Sequence, residues 1–384
     1  MNFEFSTANK ILFGQKVVHK LPDYLKSMGS VCLVIAGGHL KEDNLLIPQL
    51  ESAGIEFDVV FVTSEPDAQI VEQGAKLAHE MDAEFIIAIG GGSTLDAGKA
   101  IAMLAANGGT VLDYIEVVGK GKQIKVPSLP VVAIPTTAGT GSEVTRNAVI
   151  SLPEFKTKAS LRSNYLLPSL AIIDPELTLH LPARETGWTG MDAITQVIEP
   201  YLSKKANPLV DAFCRPAIKR GIQTLPDCVE SPDDLNAREG MAYVSLMGGM
   251  ALTNAGLGAV HGFAAAIGGM YPIPHGAICA CLLPVVFEAN FKAMSEREKQ
   301  NPAYDKYFEL AGNILPIGQD NVGKLVDTIY KLKERLSIQG LNQWGVSSDN
   351  FEIIVKKAQE ASSMKANPVL LTDQELYHIL QDSV

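Results

Sequence analysis

The chain has 384 residues, 47% of them hydrophobic and 20% charged, which is typical of a soluble globular protein with room for two domains. Its net charge of −11 argues against a nucleic-acid partner, because phosphate binding requires clustered Lys and Arg. The N-terminal segment carries Glu4 and has no basic stretch leading into an apolar one, so it does not resemble a secretory signal. The five scattered cysteines are expected to be free thiols, and together these features predict a cytoplasmic protein.

The first half of the chain alternates short apolar runs with helical patterns. Strands are predicted at 30–38, 57–63, 83–93, 129–137 and 170–177. Helical patterns at 45–54 and 70–81 lie between the first three of these runs. This alternation predicts an α/β domain with a mostly parallel sheet, whose ligands bind at the carboxyl ends of the strands.

A glycine-rich loop follows the third predicted strand. Gly90, Gly91 and Gly92 let the backbone approach an anion, and the next helix presents its N–H groups there. Ser93 is predicted to be the N-cap of this helix, with Asp96 near the third position as in a capping box. Asp96 is also a candidate for binding the cofactor. The pattern matches neither G-x-G-x-x-G nor the P-loop, so a purely structural turn is the alternative to phosphate binding.

A second polar loop follows the fourth predicted strand. It offers hydroxyl groups beside a glycine-rich backbone, from Thr136, Thr137, Thr140 and Ser142. A threonine-capped turn is the alternative interpretation. Two such loops at the ends of two strands favour a dinucleotide-binding cleft.

The pattern changes near residue 181, where strand-like runs disappear. Helical segments follow at 185–203, 208–225 and 236–252, with further amphipathic stretches in 302–384. We therefore expect an α/β dinucleotide-binding domain over 1–182 and an all-helical metal- and substrate-binding domain over 183–384.

One long segment, 240–287, contains no Asp, Glu, Lys or Arg and needs comparison with a membrane span. A spanning helix needs roughly 20 mostly apolar residues. This segment instead contains many glycines, Asn254, two histidines and two prolines near its middle. It predicts buried helices around a polar site, with no membrane contact.

Four residues in the second half are candidate metal ligands. Asp192 and Gln196 are spaced i, i+4 and share one helix face, while His261 and His275 lie in the uncharged segment. A carboxylate and two imidazoles suit a borderline cation such as Zn²⁺ or Fe²⁺, but an amide is a poor fourth ligand. The alternatives are core histidines with satisfied hydrogen bonds and a Gln196 amide that does not ligate. Cys279-x-Cys281 lacks a second cysteine pair, so a separate metal site is not predicted there.

Six segments in order along the chain resemble the iron-containing (group III) alcohol dehydrogenase family. They are GGGSTLDAGKA (90–100), IPTTAGTGSEVT (134–145), LAIIDPELT (170–178), GMDAITQVIEPYLS (190–203), NAGLGAVHGFAAAIGG (254–269) and PHGAICACLLP (274–284). The resemblance implies a Rossmann-like N-terminal domain, a helical C-terminal domain and a site between them. It also implies NAD or NADP, a divalent metal (Fe or Zn), a small-molecule alcohol or aldehyde as substrate, and a homodimer.

The resemblance also assigns individual residues. Asp192, His261 and His275 fall on family metal ligands and are expected to be catalytic. The expected pyrophosphate contacts are Gly91, Gly92 and Ser93, and the expected contacts near the nicotinamide are Thr136, Thr137 and Ser142. Lys158 falls on a family lysine near the cofactor and is a further catalytic and cofactor-binding candidate, although an exposed surface lysine is the alternative.

Three positions depart from the family pattern. Gln196 stands where a histidine ligand is usual, so metal affinity is expected to be lower. Ala265 stands where a second histidine often shuttles a proton, so that relay is absent. Gly37, followed by Gly38 at the expected cofactor-binding end of the first predicted strand, replaces an acid that selects NAD, so NADP becomes admissible. His39 and Lys41 are candidates for contacting its additional phosphate.

These residues favour a metal-dependent alcohol dehydrogenase or aldehyde reductase. The alternatives are a metal- and NAD-dependent lyase or cyclase of the dehydroquinate-synthase type, and a decayed nucleotide-binding homologue without activity. A narrower resemblance, to the 3-deoxy-octulosonate 8-oxidase branch, suggests a sugar acid oxidised at its terminal CH₂OH group.

Overall fold

The computed structural model describes residues 2–38, 45–116, 118–155, 157–316 and 321–384. These residues form two compact units. We call the first the α/β unit; it covers Phe5–Thr137 and Gly141–His180. We call the second the helical unit; it covers Met1–Glu4, Ala138–Thr140 and Leu181–Val384.

The α/β unit is built on a parallel sheet. Its described strands are β1 (Ile11–Phe13), β2 (Val31–Gly37), β3 (Glu56–Val62), β4 (Phe85–Gly90), β5 (Val131–Pro135), β6 (Asn147–Leu152), β7 (Thr157–Arg162) and β8 (Leu170–Ile173). Six of them form one sheet in the order β1-β8-β5-β4-β2-β3, and every neighbouring pair is parallel. The predicted parallel sheet is therefore confirmed.

Three strands were not predicted from the sequence. β1 is three residues long and half-buried, which is too short to show a pattern. β6 and β7 form a separate antiparallel pair, and both carry polar residues. Such strands lack the continuous apolar run by which buried parallel strands are recognised.

Helices cover both faces of the sheet. The described helices of this unit are α1 (Pro22–Leu25), α2 (Leu46–Ala53), α3 (Ala68–Glu80), α4 (Gly92–Asn107) and α5 (Val111–Tyr114). Alternate strand residues enter opposite cores, with Ile86 and Ala88 in one and Phe85 and Ile87 in the other. A Cβ on Gly98 of α4 would lie 2.5 Å from the Cβ of Ala88, so glycine allows this helix to pack directly on β4.

The helical unit contains no strand among its described residues, as the sequence predicts. Its helices are α6 (Ala183–Leu202), α7 (Pro208–Glu230), α8 (Leu235–Ala255), α9 (Ala259–Met270), α10 (His275–Arg297), α11 (Pro302–Ile314), α12 (Val322–Arg335), α13 (Phe351–Glu360) and α14 (Asp373–Gln381). Glycines allow close packing around α6. A Cβ on Gly190 would lie 2.2 Å from Leu225 of α7, and one on Gly248 of α8 would lie 3.0 Å from the Gln196 Cβ.

Helix α10 has the length and composition of a membrane span, as core helices sometimes do. Within its most apolar window, 78% of the residues are buried inside the protein. Helices α8 and α9 pass the same test only when joined, and they bend by 97° at the break between them. These helices pack within the protein, as the sequence predicts for the uncharged segment.

Candidate metal centre and cofactor loops

The metal centre is built on one face of α6. Asp192, Gln196 and Glu199 follow each other at i, i+4 and i+7, and all three are buried. A Cβ on Gly276, the residue after His275, would lie 2.7 Å from the backbone oxygen of Trp188. Glycine at that position therefore lets the start of α10 pack against α6 and brings His275 to this face.

The structure brings together Asp192, His261 and His275, the three predicted ligands whose donor atoms suit Zn²⁺ or Fe²⁺. The Asp192 Oδ1 atom lies 3.2 Å from His261 Nε2 and 3.9 Å from His275 Nε2. The side chain of His261 is 6% exposed and that of His275 is 40% exposed, so the cluster opens to solvent on the His275 side. Two imidazole nitrogens and a carboxylate oxygen thus surround one point.

Cys279 also belongs to this cluster, although its sequence context predicts no metal role. Its Sγ lies 3.6 Å from His275 Nε2 and 3.9 Å from His261 Nε2. One potential ligand atom from each of Asp192, His261, His275 and Cys279 lies within 4.8 Å of all the others. The available signal in the sequence was the i, i+4 spacing of His275 and Cys279 on one helix.

Glu199 is a second residue that the sequence analysis missed. Its Oε2 lies 2.6 Å from His261 Nδ1, and its Oε1 accepts a hydrogen bond from the Val260 backbone N–H at 2.7 Å. A carboxylate at Nδ1 favours the tautomer that carries its proton there, which leaves the Nε2 lone pair for a metal. The signal was a third acidic or amide residue at i+7 on the Asp192 face.

Two buried oxygens in this region have no hydrogen-bond donor. They are Asp192 Oδ1 and Gln196 Oε1. The Gln196 Nε2 donates to the backbone oxygen of Gly139 at 3.1 Å, which fixes the orientation of the amide. Buried acceptors without donors are unfavourable unless a ligand satisfies them, so these residues fit a bound cation. Direct ligation by Gln196 stays a prediction.

The electrostatics of the cluster also favour positive charge. Burial alone would raise the pKa of the Asp192 carboxyl, but His261 and His275 outweigh burial and lower it. Burial would lower the pKa of His261, but the neighbouring Cys279, Glu199 and Asp192 raise it well above its usual value. Burial and the Asp192 charge raise the pKa of the Cys279 thiol to about 12.

The glycine-rich loop and the threonine loop contact each other. Gly90 has a φ of 155°, and a Cβ there would lie 2.6 Å from Thr94 Oγ1, so only glycine fits. The Thr136 N–H donates to the Gly90 oxygen at 2.9 Å, and a Cβ on Gly91 would lie 3.4 Å from Thr137 Cγ2. This places the N-terminus of α4, a natural anion site, beside the threonine hydroxyls.

The predicted capping box at the start of α4 is wrong. The N-cap is Gly91, without a side-chain cap, and Ser93 lies within the helix. The Asp96 carboxylate instead accepts the Ser142 hydroxyl at 2.5 Å and the Val149 N–H at 2.9 Å. Asp96 and Ser142 therefore connect the two loops, and their predicted contacts with a cofactor stay predictions.

Lys99 completes this connection and was not predicted. It is fully buried, and its Nζ contacts Asp96 Oδ1 at 3.0 Å, the Ser142 oxygen at 3.0 Å and Thr145 Oγ1 at 2.9 Å. A further hydrogen bond goes to the backbone oxygen of Asn147. We call Asp96, Lys99, Ser142 and Thr145 the loop network.

The other predicted cofactor residues have identifiable surroundings. Gly37 ends β2, and a Cβ there would lie 3.5 Å from Thr94 Oγ1, an ordinary contact. A Cβ on Gly38 would lie 3.6 Å from Thr63 Cγ2. Lys158 pairs with Glu65 at 2.6 Å.

Three further predictions concern positions beside these sites. Thr140 groups with the helical unit rather than with the other threonines of its loop. Ala265 is exposed on α9 and, as alanine, cannot relay a proton. His39 and Lys41 lie outside the described residues.

The chain is similar to known proteins along its whole length. A family model described as iron-containing alcohol dehydrogenase matches residues 8–175, and a model of the C-terminal part of that family matches residues 186–384. The NAD-dependent methanol dehydrogenase of Bacillus methanolicus is 33% identical over the full length of both chains. A crystal structure of 1,3-propanediol oxidoreductase superposes with a TM-score of 0.92 at 33% identity, again over all of both chains. Sulfoacetaldehyde reductase from Bifidobacterium kashiwanohense, solved with NAD⁺, gives 0.87 at 30% identity and covers 100% of this chain and 99% of its own.

Proposed function

The chain belongs to the iron-containing alcohol dehydrogenase family and is an NAD-dependent alcohol dehydrogenase, and we propose that Asp192, His261 and His275 hold its catalytic cation. The observation that carries this proposal is the convergence of their ligand atoms within 4.8 Å, with a buried Asp192 oxygen that has no donor. A divalent cation at this point supplies Lewis acidity toward an alcohol or carbonyl oxygen.

The chain's own residues orient this chemistry. Glu199 holds the proton on His261 Nδ1, so that Nε2 faces the centre. His275 forms the solvent-accessible wall, and substrate entry is expected on that side. A bound nicotinamide would supply the hydride acceptor for alcohol oxidation, and the hydroxyl proton would have to leave by another route. With alanine at position 265, that proton is not passed to a histidine one turn after His261.

The two loops of the α/β unit are proposed to hold the dinucleotide. The backbone at Gly91, Gly92 and Ser93 opens α4, where N–H groups without helical partners suit a pyrophosphate. Thr136 and Thr137 lie directly beside this helix start, which supports the expected contacts near the nicotinamide. A cofactor contact from Lys158 stays a prediction, since its ammonium pairs with Glu65.

The substrate is an alcohol or its aldehyde, and a primary alcohol is the proposed class. The relatives include a methanol dehydrogenase, a 1,3-propanediol oxidoreductase and a sulfoacetaldehyde reductase, whose named substrates are all small. The sugar acid suggested by the sequence is the narrower proposal, supported by the absence of two bulky histidines at positions 196 and 265. The expected division at residues 182 and 183, the homodimer and the cytoplasmic location also stay predictions.

Removal and return of the metal tests the proposed centre. Chelation should abolish the formation of reduced cofactor with a panel of primary alcohols, including 1,3-propanediol and 3-deoxy-octulosonate. Fe²⁺ or Zn²⁺ should restore it in the unmodified protein and in the control variant Asp305→Asn, which changes an exposed aspartate. Asp192→Asn should stay inactive after metal addition. Full turnover by the metal-free protein contradicts the proposed role.

Cofactor choice is tested at Gly37. The surroundings of this residue leave room for a Cβ, so Gly37→Asp should fold normally. A carboxylate there binds a ribose 2′-hydroxyl and repels a 2′-phosphate, so the KM for NADP⁺ should rise by about tenfold or more relative to that for NAD⁺. The same change at Gly312, an exposed position of α11 with open space around it, is the control for added charge. An unchanged ratio of the two KM values refutes the assignment of Gly37.

A further inference from the structure

We propose that the Cys279 thiolate is the fourth protein ligand of the metal, in place of the Gln196 amide, so that the donor set is one carboxylate, two imidazoles and one sulfur. The inference rests on the proposed metal centre and concerns a residue for which the sequence predicts no metal role. It changes the chemistry of the centre, because a thiolate is a softer and more strongly donating ligand than an amide.

The distances support a tetrahedral arrangement. Zinc bonds of about 2.3 Å to sulfur and 2.0–2.1 Å to nitrogen or oxygen imply S···N separations near about 3.6 Å and N···O separations near about 3.3 Å. The structure has Cys279 Sγ at 3.6 Å from His275 Nε2 and 3.9 Å from His261 Nε2. The distance from His261 Nε2 to Asp192 Oδ1 is 3.2 Å. Small movements of these side chains suffice to close the site around an ion.

The surroundings of Cys279 differ from those of the neighbouring Cys281. Both are buried on α10. Cys281 donates its S–H to the Gln339 backbone oxygen at 2.8 Å, so its thiol already has a hydrogen-bond partner within the protein. Cys279 instead faces two imidazole Nε2 atoms, each of which can also ligate a metal. Three ligand types directed at one point are typical of a coordination site, whereas Cys281 has an ordinary structural partner.

Charge balance also favours sulfur over the amide. Asp192 and a Cys279 thiolate together carry two negative charges, which neutralise a divalent cation in a buried position. Asp192 with Gln196 leaves one positive charge uncompensated among the four ligands. Coordination to a dication removes a thiol proton, so a ligating Cys279 is a thiolate.

Cobalt spectroscopy tests the proposal without relying on turnover. The Co²⁺-loaded protein should show a sulfur-to-metal charge-transfer band in the near ultraviolet. That band should persist in the control Cys281→Ser and in Gln196→Ala, and it should disappear in Cys279→Ser. Zinc affinity should fall in Cys279→Ser by more than the roughly 100-fold that loss of an outer-shell partner costs. A band that survives Cys279→Ser overturns the proposal.

X-ray absorption on the unmodified zinc protein needs no variant to fold. One sulfur neighbour at about 2.3 Å is the expected result, and a shell of nitrogen and oxygen alone overturns the sulfur ligand. In that second case a bound metal still supports the proposed function. Failure of the protein to bind either Co²⁺ or Zn²⁺ would contradict both the proposed metal centre and the Cys279 ligand. The two proposals therefore fail on different results.

Discussion

Two buried polar clusters of this protein differ in how completely their groups are paired. In the loop network, Lys99 is fully buried and reaches a carboxylate, a hydroxyl and backbone oxygens. In the metal centre, Asp192 Oδ1 and Gln196 Oε1 are equally buried but receive no hydrogen bond. Both clusters cost desolvation energy, and only the first recovers it within the described chain.

The difference separates a scaffold from a binding site. A buried charge with a complete set of partners fixes the position of the elements that supply them, here α4 and the loop before β6. Buried oxygens and nitrogens that converge without donors are instead suited to an ion that the chain does not supply. Substitutions in the first cluster should therefore change stability, and substitutions in the second should change metal affinity.

Removal of the Lys99 charge should have the largest effect on stability. Lys99→Met removes the positive partner of Asp96 and the ammonium that donates to two backbone oxygens. Breaking such a buried pair costs about 3–5 kcal/mol of unfolding free energy. Urea denaturation measures this loss. The control Lys76→Met breaks an exposed pair with Glu80, for which we expect at most about 1 kcal/mol. Equal losses of unfolding free energy in the two variants would contradict the role of Lys99. Neither variant should change the affinity for zinc.

Glu143 should give the loop region a pH-dependent stability. Burial raises the pKa of its carboxyl to about 7, although the Lys99 charge opposes this shift. The folded state therefore holds a proton that the unfolded state has released, so stability is highest below the unfolded pKa and falls as pH rises toward 7. Glu143→Gln should remove up to about 3 kcal/mol of this decline between acidic and neutral pH, measured by denaturation at several pH values. The exposed-site control Glu154→Gln should retain the decline, and a Glu143→Gln profile as steep as that of the unmodified protein rules out this cause.

Loss of Glu199 should have a smaller effect, on metal binding. Glu199→Gln replaces the carboxylate beside His261 Nδ1, and loss of such an outer-shell partner costs about 10–100-fold in affinity. Zinc competition with a chelator measures it. The control Glu309→Gln removes a carboxylate paired with Arg215 and should leave affinity unchanged. An unaltered zinc affinity in Glu199→Gln would show that Glu199 does not support metal binding through His261.

Several features were available from the sequence because they depend on local spacing. The apolar runs predicted five strands of the parallel sheet, and the glycines before α4 predicted the turn of the loop. The shared face of Asp192 and Gln196 follows from helix geometry alone. The capping box failed because Asp96 has more favourable partners from Ser142 and Val149, which lie about fifty residues further along the chain.

Only the tertiary structure decided which groups meet. Glu199 reaches His261 across 62 positions, and Cys279 reaches His261 across 18, through the packing of α6, α9 and α10. The sequence determined that a carboxylate and two histidines were present on helices, but not that a cysteine would join them. Helix period fixes which residues share a face, whereas helix packing fixes which faces meet, and here close glycine contacts allow that packing.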